Sequence, residues 1–454
     1  MTKGAVAIIV CVLIGGTLYA ECKTDACRQA VAWKNGYTAV VLDDNISRAD
    51  YMAVLDVVKA NEGIVAIEAE RVLLGWVPVA TAGKIRGARG VSALSYQAIA
   101  RPADLVHRAE ALAALSFFNR VKTGEFEDAI ETGLAAKGQP LTGCVIAKPA
   151  SGSPRPQGLS SKSQRTLLGN VSPQWGWVQT PYRNTQMRGR ITVQLFRLDS
   201  DGTIDPNLYT WSDADLSFSQ DQVYGAFNFW VNQATSRGIT LSFTIRTLDP
   251  RYKCCGFLPT PTQYEPITRS SGDDYLWIND ALARSGYGAS PVTPDNVYTK
   301  NEAFNQAYAA EPFYGPFDGS FSVFVVYNPG SAPSTFANDS RAYTRFLGGP
   351  FTTVMWNSGG WQPQNLGLVL THETGHIFWS CDEYFDSEDG TGCVTCYYCS
   401  YNVGPRNQVQ TPWVTNANCD NPTSTGTCDV PRTSCIMRDQ TLTLCPHTPG
   451  QIGW

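Results

Sequence analysis

The amino-acid sequence predicts a mixed α/β fold, with a small α/β domain ahead of a larger one, in a chain of 454 residues. Segments with the two-residue period of β-strands alternate with segments whose apolar residues fall three and four apart, as in helices. A stretch rich in Pro, Ser and Gly at residues 148–168 separates two such regions and is typical of a flexible, cleavable linker. Eight of the 14 cysteines lie in the last quarter of the chain, which predicts a disulfide-rich C-terminal part.

The first region, residues 21–147, has the pattern of a small α/β domain. Residues 37–42 and the apolar-rich stretch 63–77 are typical of strands, and residues 47–60 and 104–121 are typical of helices. The region contains no cluster of catalytic residue types. Its place ahead of a cleavable linker favours a propeptide and hence a zymogen, and an accessory domain that stays attached is the alternative.

The second region, residues 169–454, begins with a predicted strand–helix–strand unit. Residues 190–197 alternate like a half-buried strand, and residues 239–245 have a clean two-residue period. Between them, after a helix start signal at Ser219 and Asp221, apolar residues share one helical face: Val223, Phe227, Trp230, Val231 and Ala234. If the two strands are parallel, we expect a right-handed crossover between them.

Two further strands are predicted ahead of one buried helix. Residues 321–327 are apolar enough for a central strand, and residues 351–355 predict an edge strand directly before a helix over residues 365–379. We therefore expect a twisted mixed sheet with this helix packed against it.

The first 20 residues have the pattern of a secretory signal peptide. Lys3 precedes an apolar run over residues 5–14, small residues follow, and Ala20 offers a cleavage point. An uncleaved anchor is the alternative, although the apolar run is short for a bilayer. We expect a secreted, extracellular protein without stable membrane insertion. The net charge of −5 argues against nucleic acid as a partner.

Cysteine usage agrees with export. Thirteen of the 14 cysteines lie beyond the predicted signal peptide, and we expect disulfides among them because thiols oxidise outside the cytosol. A structural zinc knuckle at Cys393, Cys396 and Cys399 is the alternative. An odd count leaves one thiol over. Cys144, near the linker, is the candidate, and it could close an open metal position as a cysteine switch.

The candidate chemistry lies in His372-Glu373-Thr374-Gly375-His376. Histidines four residues apart in a helix lie on one face and suit a single zinc ion, and a glutamate beside them can move protons. Two surface histidines around a solvated glutamate are the alternative. The apolar residues 366–370 and 377–378 on either side favour a buried helix instead.

A catalytic zinc needs a third protein ligand, which leaves one coordination position open. Asp382 is the first candidate for that ligand, because it lies six residues after His376, as the third ligand does in the metzincin zinc signature that this segment resembles. Glu383 and then Glu388 are the next candidates, and His447 is a weaker one. The acidic residues from Asp382 to Asp389 could instead bind calcium, which prefers oxygen ligands.

The segment 372–384 resembles the zinc signature of the metzincin metallopeptidases. The resemblance includes Gly375 before the second histidine and aspartate in the third ligand position. It departs at Trp379, where the signature has a glycine that lets the chain turn out of the helix.

Metzincins also carry a methionine in a tight turn beneath the zinc site. Met437, which lies in a compact cysteine-flanked stretch, matches that turn in kind, and a core-filling methionine is the alternative. Some metzincins have a tyrosine two residues later as an extra ligand or oxyanion donor. Position 439 is aspartate here, so this role is vacant or falls to another residue such as Tyr384.

The resemblance implies a metzincin-like catalytic domain over residues 169–454 that hydrolyses peptide bonds of protein or peptide substrates. Glu373 would act first as general base and then as general acid. The strand at residues 351–355 could bind substrate by strand addition. The alternatives are a zinc amidohydrolase acting on a non-protein amide, and an inactive secreted adhesion or binding protein that keeps zinc for stability.

Overall fold

The structure is a computed structural model. It describes the following residues: 36–100, 109–123, 125, 184, 186–248, 258–287, 291–294, 296–344, 348–358, 363–380, 382–383, 433–439 and 441–454. Several predictions lie outside the described residues: the signal peptide (1–20), the linker (148–168), Cys144, Tyr384, Glu388 and the cysteines at 381, 393, 396, 399, 419 and 428.

One sheet of nine strands organises the described part of the chain. The strands are β1 Tyr37–Leu42, β2 Ile64–Ala69, β3 Val72–Trp76, β4 Val91–Ser95, β5 Gly189–Ser200, β6 Leu241–Thr247, β7 Thr260–Thr262, β8 Gly319–Val326 and β9 Phe351–Met355. Their order is β4-β1-β3-β2-β6-β5-β8-β9, and β7 pairs with the end of β5. The strands β1 to β4 pair with one another in antiparallel fashion. The pairs β2–β6, β6–β5, β5–β8 and β8–β9 are parallel, which confirms the mixed sheet of the predicted α/β fold.

Helices cover this sheet, and two of them are central to the argument. The long helix is Asp213–Thr235, and the site helix is Leu366–Ile377. The remaining α-helices of the described part are Arg48–Ala60, Ala82–Arg86, Ala109–Thr123, Asp274–Leu282, Val297–Ala309, Ile436–Asp439 and Thr448–Gln451. Among the described residues, no helix combines the length and the hydropathy that a membrane span requires.

The two regions that the linker separates in the sequence share the sheet. β2, from the first region, pairs in parallel with β6, from the second, at Ile67–Phe243 and Glu68–Thr244. The helix Ala109–Thr123 packs against the long helix, and residues of both regions form one apolar core. The first region is therefore built into the fold of the second, and its removal on activation stays a prediction.

Polar contacts tie the same junction together. The buried carboxylate of Glu68 accepts hydrogen bonds from Arg190 at 3.0 and 2.7 Å, from Tyr51 at 2.5 Å and from Ser242 at 3.1 Å. Burial alone would raise the pKa of Glu68, but the Arg190 guanidinium and the two hydroxyls outweigh it and lower that pKa. We call Glu68, Tyr51, Arg190 and Ser242 the junction cluster.

Two sequence predictions need correction. The long helix begins at Asp213 rather than near Ser219, because Ser212 caps it by accepting a hydrogen bond from the backbone N–H of Asp215 at 3.1 Å. β5 is not half-buried. Its residues from Ile191 to Ser200 are all buried, because parallel strands flank it and helices cover both of its faces.

The described cysteines of the C-terminal part do not form a disulfide. Cys435 and Cys445 are both buried, and both carry free thiols. The prediction of a disulfide-rich C-terminal part is therefore not confirmed for this pair, and the other six cysteines of that part lie outside the described residues.

Candidate metal centre

The site helix is buried over its whole length, as the apolar flanks of its histidines predict. It packs on the long helix, where the indole of Trp230 donates to the carbonyl oxygen of Thr371 at 3.2 Å. Gly367 permits this close packing, because a Cβ there would lie 2.9 Å from the backbone oxygen of Gln222. The helix is thus held in one position against the core.

Three metal-ligand atoms converge at the C-terminal end of this helix. The Nε2 atoms of His372 and His376 lie 3.1 Å apart, and Oδ1 of Asp382 lies 2.9 Å from the first and 3.2 Å from the second. All three side chains are buried. These three residues form a group that can hold a metal ion.

Backbone carbonyls orient both imidazole rings. Nδ1 of His372 lies 2.9 Å from the carbonyl oxygen of Ile436, and Nδ1 of His376 lies 2.7 Å from that of Ser380. A carbonyl oxygen can only accept, so each Nδ1 carries a proton and donates it. When it carries no proton of its own, each Nε2 presents its lone pair toward the other Nε2 and Asp382, which is the tautomer that a metal ion requires.

The turn that brings Asp382 back to the histidines passes through Trp379. The N–H of Ser380 donates to the carbonyl of Gly375 at 2.9 Å, and the N–H of Trp379 donates to that of His376 at 3.0 Å. These two bonds define a Schellman cap, whose central residue is left-handed. Trp379 adopts that conformation, with φ of 74°. The turn typical of glycine therefore forms with tryptophan, at a backbone cost of about 1–2 kcal/mol.

Met437 lies directly beneath the site helix. It is fully buried, and a Cβ added to Gly375 would meet its sulfur at 2.5 Å, so the glycine makes room for the methionine. The backbone on either side of Met437 supports the first histidine and the turn that carries Asp382. Its Ile436 carbonyl holds His372, and the Met437 carbonyl accepts from the N–H of Glu383, next to Asp382, at 2.9 Å.

Glu373 lies beside the ligand group, and its pKa is raised. Its side chain is 1% exposed, and its Oε2 makes no hydrogen bond among the described residues. Burial raises the pKa of Glu373, the charges of His376 and His372 lower it in part, and Asp382 raises it. A raised pKa makes the Glu373 carboxylate a stronger proton acceptor than an ordinary glutamate, as a general base requires.

The metal-free ligand group shares a proton instead. Burial would lower the pKa of His376, but the charge and hydrogen bond of Asp382 more than compensate and raise it to about 9. The pKa of Asp382 is lowered, because the two histidines outweigh the effect of burial. A cation is thus favoured between these atoms, whether it is a proton or a metal ion.

The ligand atoms have the spacing that zinc needs. Zinc–nitrogen and zinc–oxygen bonds of about 2.0–2.2 Å at tetrahedral angles place two ligand atoms about 3.3 Å apart. The observed separations of 2.9, 3.1 and 3.2 Å come close to that value. Calcium takes about six to eight oxygen ligands, so it suits two imidazoles poorly. Most of the acidic segment that could bind calcium lies outside the described residues.

The other predicted ligands take different places. Glu383 turns away from the histidines, and its Oε1 lies 3.1 Å from the sulfur of Cys445. His447 belongs to neither group of potential metal ligands found in the described residues. Glu388 and Tyr384 lie outside those residues. The carbonyls of Ile436 and Ser380 are functional groups that the sequence analysis missed, because no side-chain pattern marks a backbone oxygen.

The outer edge of β9 is occupied at its centre. Tyr343 and Thr353 exchange two backbone hydrogen bonds of 2.8 and 2.9 Å on the side away from β8. An extended substrate cannot use those backbone groups of Thr353 while Tyr343 holds them. The edge-strand prediction for Phe351–Met355 is confirmed as to position, but Tyr343 opposes strand addition there.

Comparison of the chain with protein-family models, with curated proteins and with solved structures gives no match. The assignment of a function therefore depends on the geometry of the site.

Proposed function

We propose that the chain is a secreted zinc-dependent endopeptidase in which His372, His376 and Asp382 hold the metal and Glu373 moves protons. The convergence of two Nε2 lone pairs and a carboxylate oxygen within 3.2 Å of one another carries this proposal. Glu373 supports catalysis rather than a purely structural metal, because a structural site needs no base beside it.

The finer assignment to a metzincin-like catalytic domain is part of the proposal. It is supported by Asp382 beside the two histidines, by the left-handed turn at Trp379 and by Met437 against Gly375. A secreted location is supported by the signal-like pattern of residues 1–20.

The residues of this chain would divide the work of peptide hydrolysis. When bound, a zinc ion supplies Lewis acidity and makes a coordinated water more acidic. Glu373 takes the proton of the attacking water on Oε2 and then delivers it to the leaving amine. The carbonyls of Ile436 and Ser380 hold the histidine rings, so that neither imidazole turns during turnover.

Casein hydrolysis by the purified protein, measured before and after cleavage within the predicted linker (148–168), tests the proposal. We expect activity that a chelator abolishes and that zinc restores. Glu373→Gln should lose about 10²–10⁴-fold in rate and keep its zinc, because Gln cannot take a proton and Glu373 is not a ligand. His376→Ala is the matched control and should lose both zinc and activity. Zinc-loaded wild-type protein without activity on casein or on any peptide would contradict a peptidase.

The pairing of Tyr343 with Thr353 favours one second candidate, a zinc amidohydrolase acting on a compact, non-protein amide. Such a substrate needs no free strand edge. Hydrolysis of N-acylated amino acids by protein that leaves casein and peptides intact would select this candidate, and the roles of Glu373 and the three ligands would stay the same.

A further inference from the structure

A second group of potential ligands lies behind the proposed zinc centre. Glu383, Cys435 and Cys445 are all buried, and a carboxylate oxygen and the two sulfurs lie within 4.8 Å of one another. The hydroxyl of Thr448 adds a fourth polar atom, 3.2 Å from the sulfur of Cys435, 3.3 Å from that of Cys445 and 3.2 Å from Glu383 Oε1. The catalytic proposal uses none of these four side chains. We call Glu383, Cys435 and Cys445 the thiol site.

We propose that Glu383, Cys435 and Cys445 bind a second metal ion, a thiophilic divalent cation of the zinc class. Thiolates with one carboxylate are a ligand set that zinc accepts, and tetrahedral zinc with bonds of about 2.3 Å to sulfur places its thiolates about 3.8 Å apart. The compact spacing of the thiol site is compatible with that arrangement.

Backbone N–H groups prepare the sulfurs for a negative charge. The sulfur of Cys445 accepts from the N–H groups of His447 at 3.3 Å and Thr448 at 3.4 Å. The sulfur of Cys435 accepts from the N–H of Cys445 at 3.3 Å. Hydrogen bonds of this kind stabilise a thiolate over a thiol, and a thiolate is the form that binds a metal.

A disulfide between the same sulfurs is less well supported. As a thiol, Cys445 donates its S–H to Glu383 Oε1 at 3.1 Å, and a metal ion would displace that proton and take its place beside the carboxylate, whereas a disulfide sulfur has no proton to donate. Oxidation would therefore remove a hydrogen bond from a carboxylate that is 0% exposed. A metal ion would satisfy that carboxylate and both sulfurs together.

The thiol site adjoins the proposed zinc centre through the backbone at two points. Glu383 follows Asp382, and Cys435 precedes Ile436, whose carbonyl orients His372. A metal at the thiol site would therefore fix one ligand and the support of another. We expect its loss to weaken zinc binding at the first centre about 10- to 100-fold, the usual effect of removing an outer-shell support.

Cobalt(II) titration of metal-free full chain, prepared under reducing conditions, tests this inference. Cobalt bound to thiolate gives a ligand-to-metal charge-transfer band, whereas the His372–His376–Asp382 group contains no sulfur and gives none. We expect the His372–His376–Asp382 group and the thiol site to take one equivalent of cobalt each, and the thiol site to contribute to the band. Cys445→Ser should lose one equivalent and the thiol site's part of the band, and the reciprocal control His376→Ala should lose one equivalent and keep the whole band.

Three results would overturn the inference: no charge-transfer band in the wild-type protein, a band that Cys445→Ser leaves undiminished, or peptide masses that show Cys435 and Cys445 joined in a disulfide. If Cys445→Ser does not fold, anomalous diffraction from crystals of the zinc-supplemented wild-type protein decides the matter. A peak should lie at bonding distance from the sulfurs of Cys435 and Cys445, and its absence counts against the site. These experiments measure metal binding and not hydrolysis. The thiol site can therefore be disproved while the proposed peptidase activity stands, and the peptidase activity can be disproved while the thiol site stands.

Discussion

Two buried carboxylates in this molecule have opposite surroundings. At the junction cluster, Glu68 meets a guanidinium and two hydroxyls, all of which donate to it. At the metal centre, Asp382 meets the Nε2 atoms of two imidazoles whose protons are held at Nδ1 by backbone carbonyls. The first carboxylate completes its hydrogen bonds within the fold, and the second is one of three acceptors that a cation would bring together.

The contrast separates a structural role from a chemical one. Donors around a buried carboxylate lower its pKa, and their hydrogen bonds hold together the strands that carry them. Buried acceptors that face one another are unfavourable unless a proton or a metal ion lies among them. A buried carboxylate thus connects β2 to β6 and β5 in one place, and predicts a metal in the other.

The largest expected effect concerns the junction as a whole. Proteolytic cleavage within the predicted linker (148–168) should leave the first region bound, because its removal would expose an edge of β6 and part of the shared core. We expect the two fragments to co-elute in size-exclusion chromatography and to separate only in denaturant. Separate elution of two folded fragments under native conditions would show that the first region is a removable domain.

Glu68→Leu should break the junction cluster locally. It leaves the Arg190 side chain, which is 19% exposed, without its carboxylate, and loss of one partner from a buried ion pair costs about 3–5 kcal/mol. Urea denaturation measures this free energy. Arg284→Ala, which removes a more exposed ion pair with Asp201, is the control and should cost about 1 kcal/mol or less. Equal losses of unfolding free energy in the two variants would contradict a structural role of Glu68 greater than that of an exposed ion pair.

Zinc binding at the metal centre and the stability that the junction cluster contributes should depend on pH in different ranges. In the metal-free protein His376 has a pKa of about 9, raised from 6.5, so below pH 9 zinc must displace a proton. Zinc affinity should fall about tenfold for each pH unit below that value. The pKa of Glu68 is lowered from 4.5, so its contribution to stability is complete above pH 4.5 and is lost below it. Competition titrations with a chelator between pH 6.5 and 9 measure the first effect, and a flat profile would be inconsistent with it.

The smallest effect is expected at the turn. Trp379→Gly relieves a left-handed tryptophan but removes an indole that packs over Gly348, so the unfolding free energy should change by no more than about 1 kcal/mol and zinc should stay bound. Trp379→Val combines the same loss of packing with a β-branched residue at positive φ, and should be clearly less stable than Trp379→Gly. Thermal unfolding of both variants compares them, and equal stability would show that the backbone conformation is not a source of strain.

Local patterns in the sequence predict much of this fold. β1 has the predicted bounds, and the strand ahead of the site helix lies at the sheet edge as predicted, because short runs rich in β-branched and aromatic residues identify strands. The spacing of His372 and His376 also predicts their convergence, because helical geometry alone places them on one face.

The remaining features depend on contacts that are distant in sequence. The pairing of β2 with β6 could not be predicted, because neither strand carries a local mark of its partner. Thr192 and Gln194 suggested an exposed face of β5, whereas both are buried, and Gln194 accepts a hydrogen bond from Ser320 of β8 at 3.1 Å. The carbonyl of Ile436 acts 64 residues away from His372, and no residue type reveals it.

X-ray diffraction recorded on both sides of the zinc absorption edge, from crystals of the full chain, tests the central claim most directly. The account predicts an anomalous peak at bonding distance from the Nε2 atoms of His372 and His376 and from a carboxylate oxygen of Asp382. Crystals of zinc-supplemented protein without a peak there, or with Asp382 turned away from the metal, would contradict it.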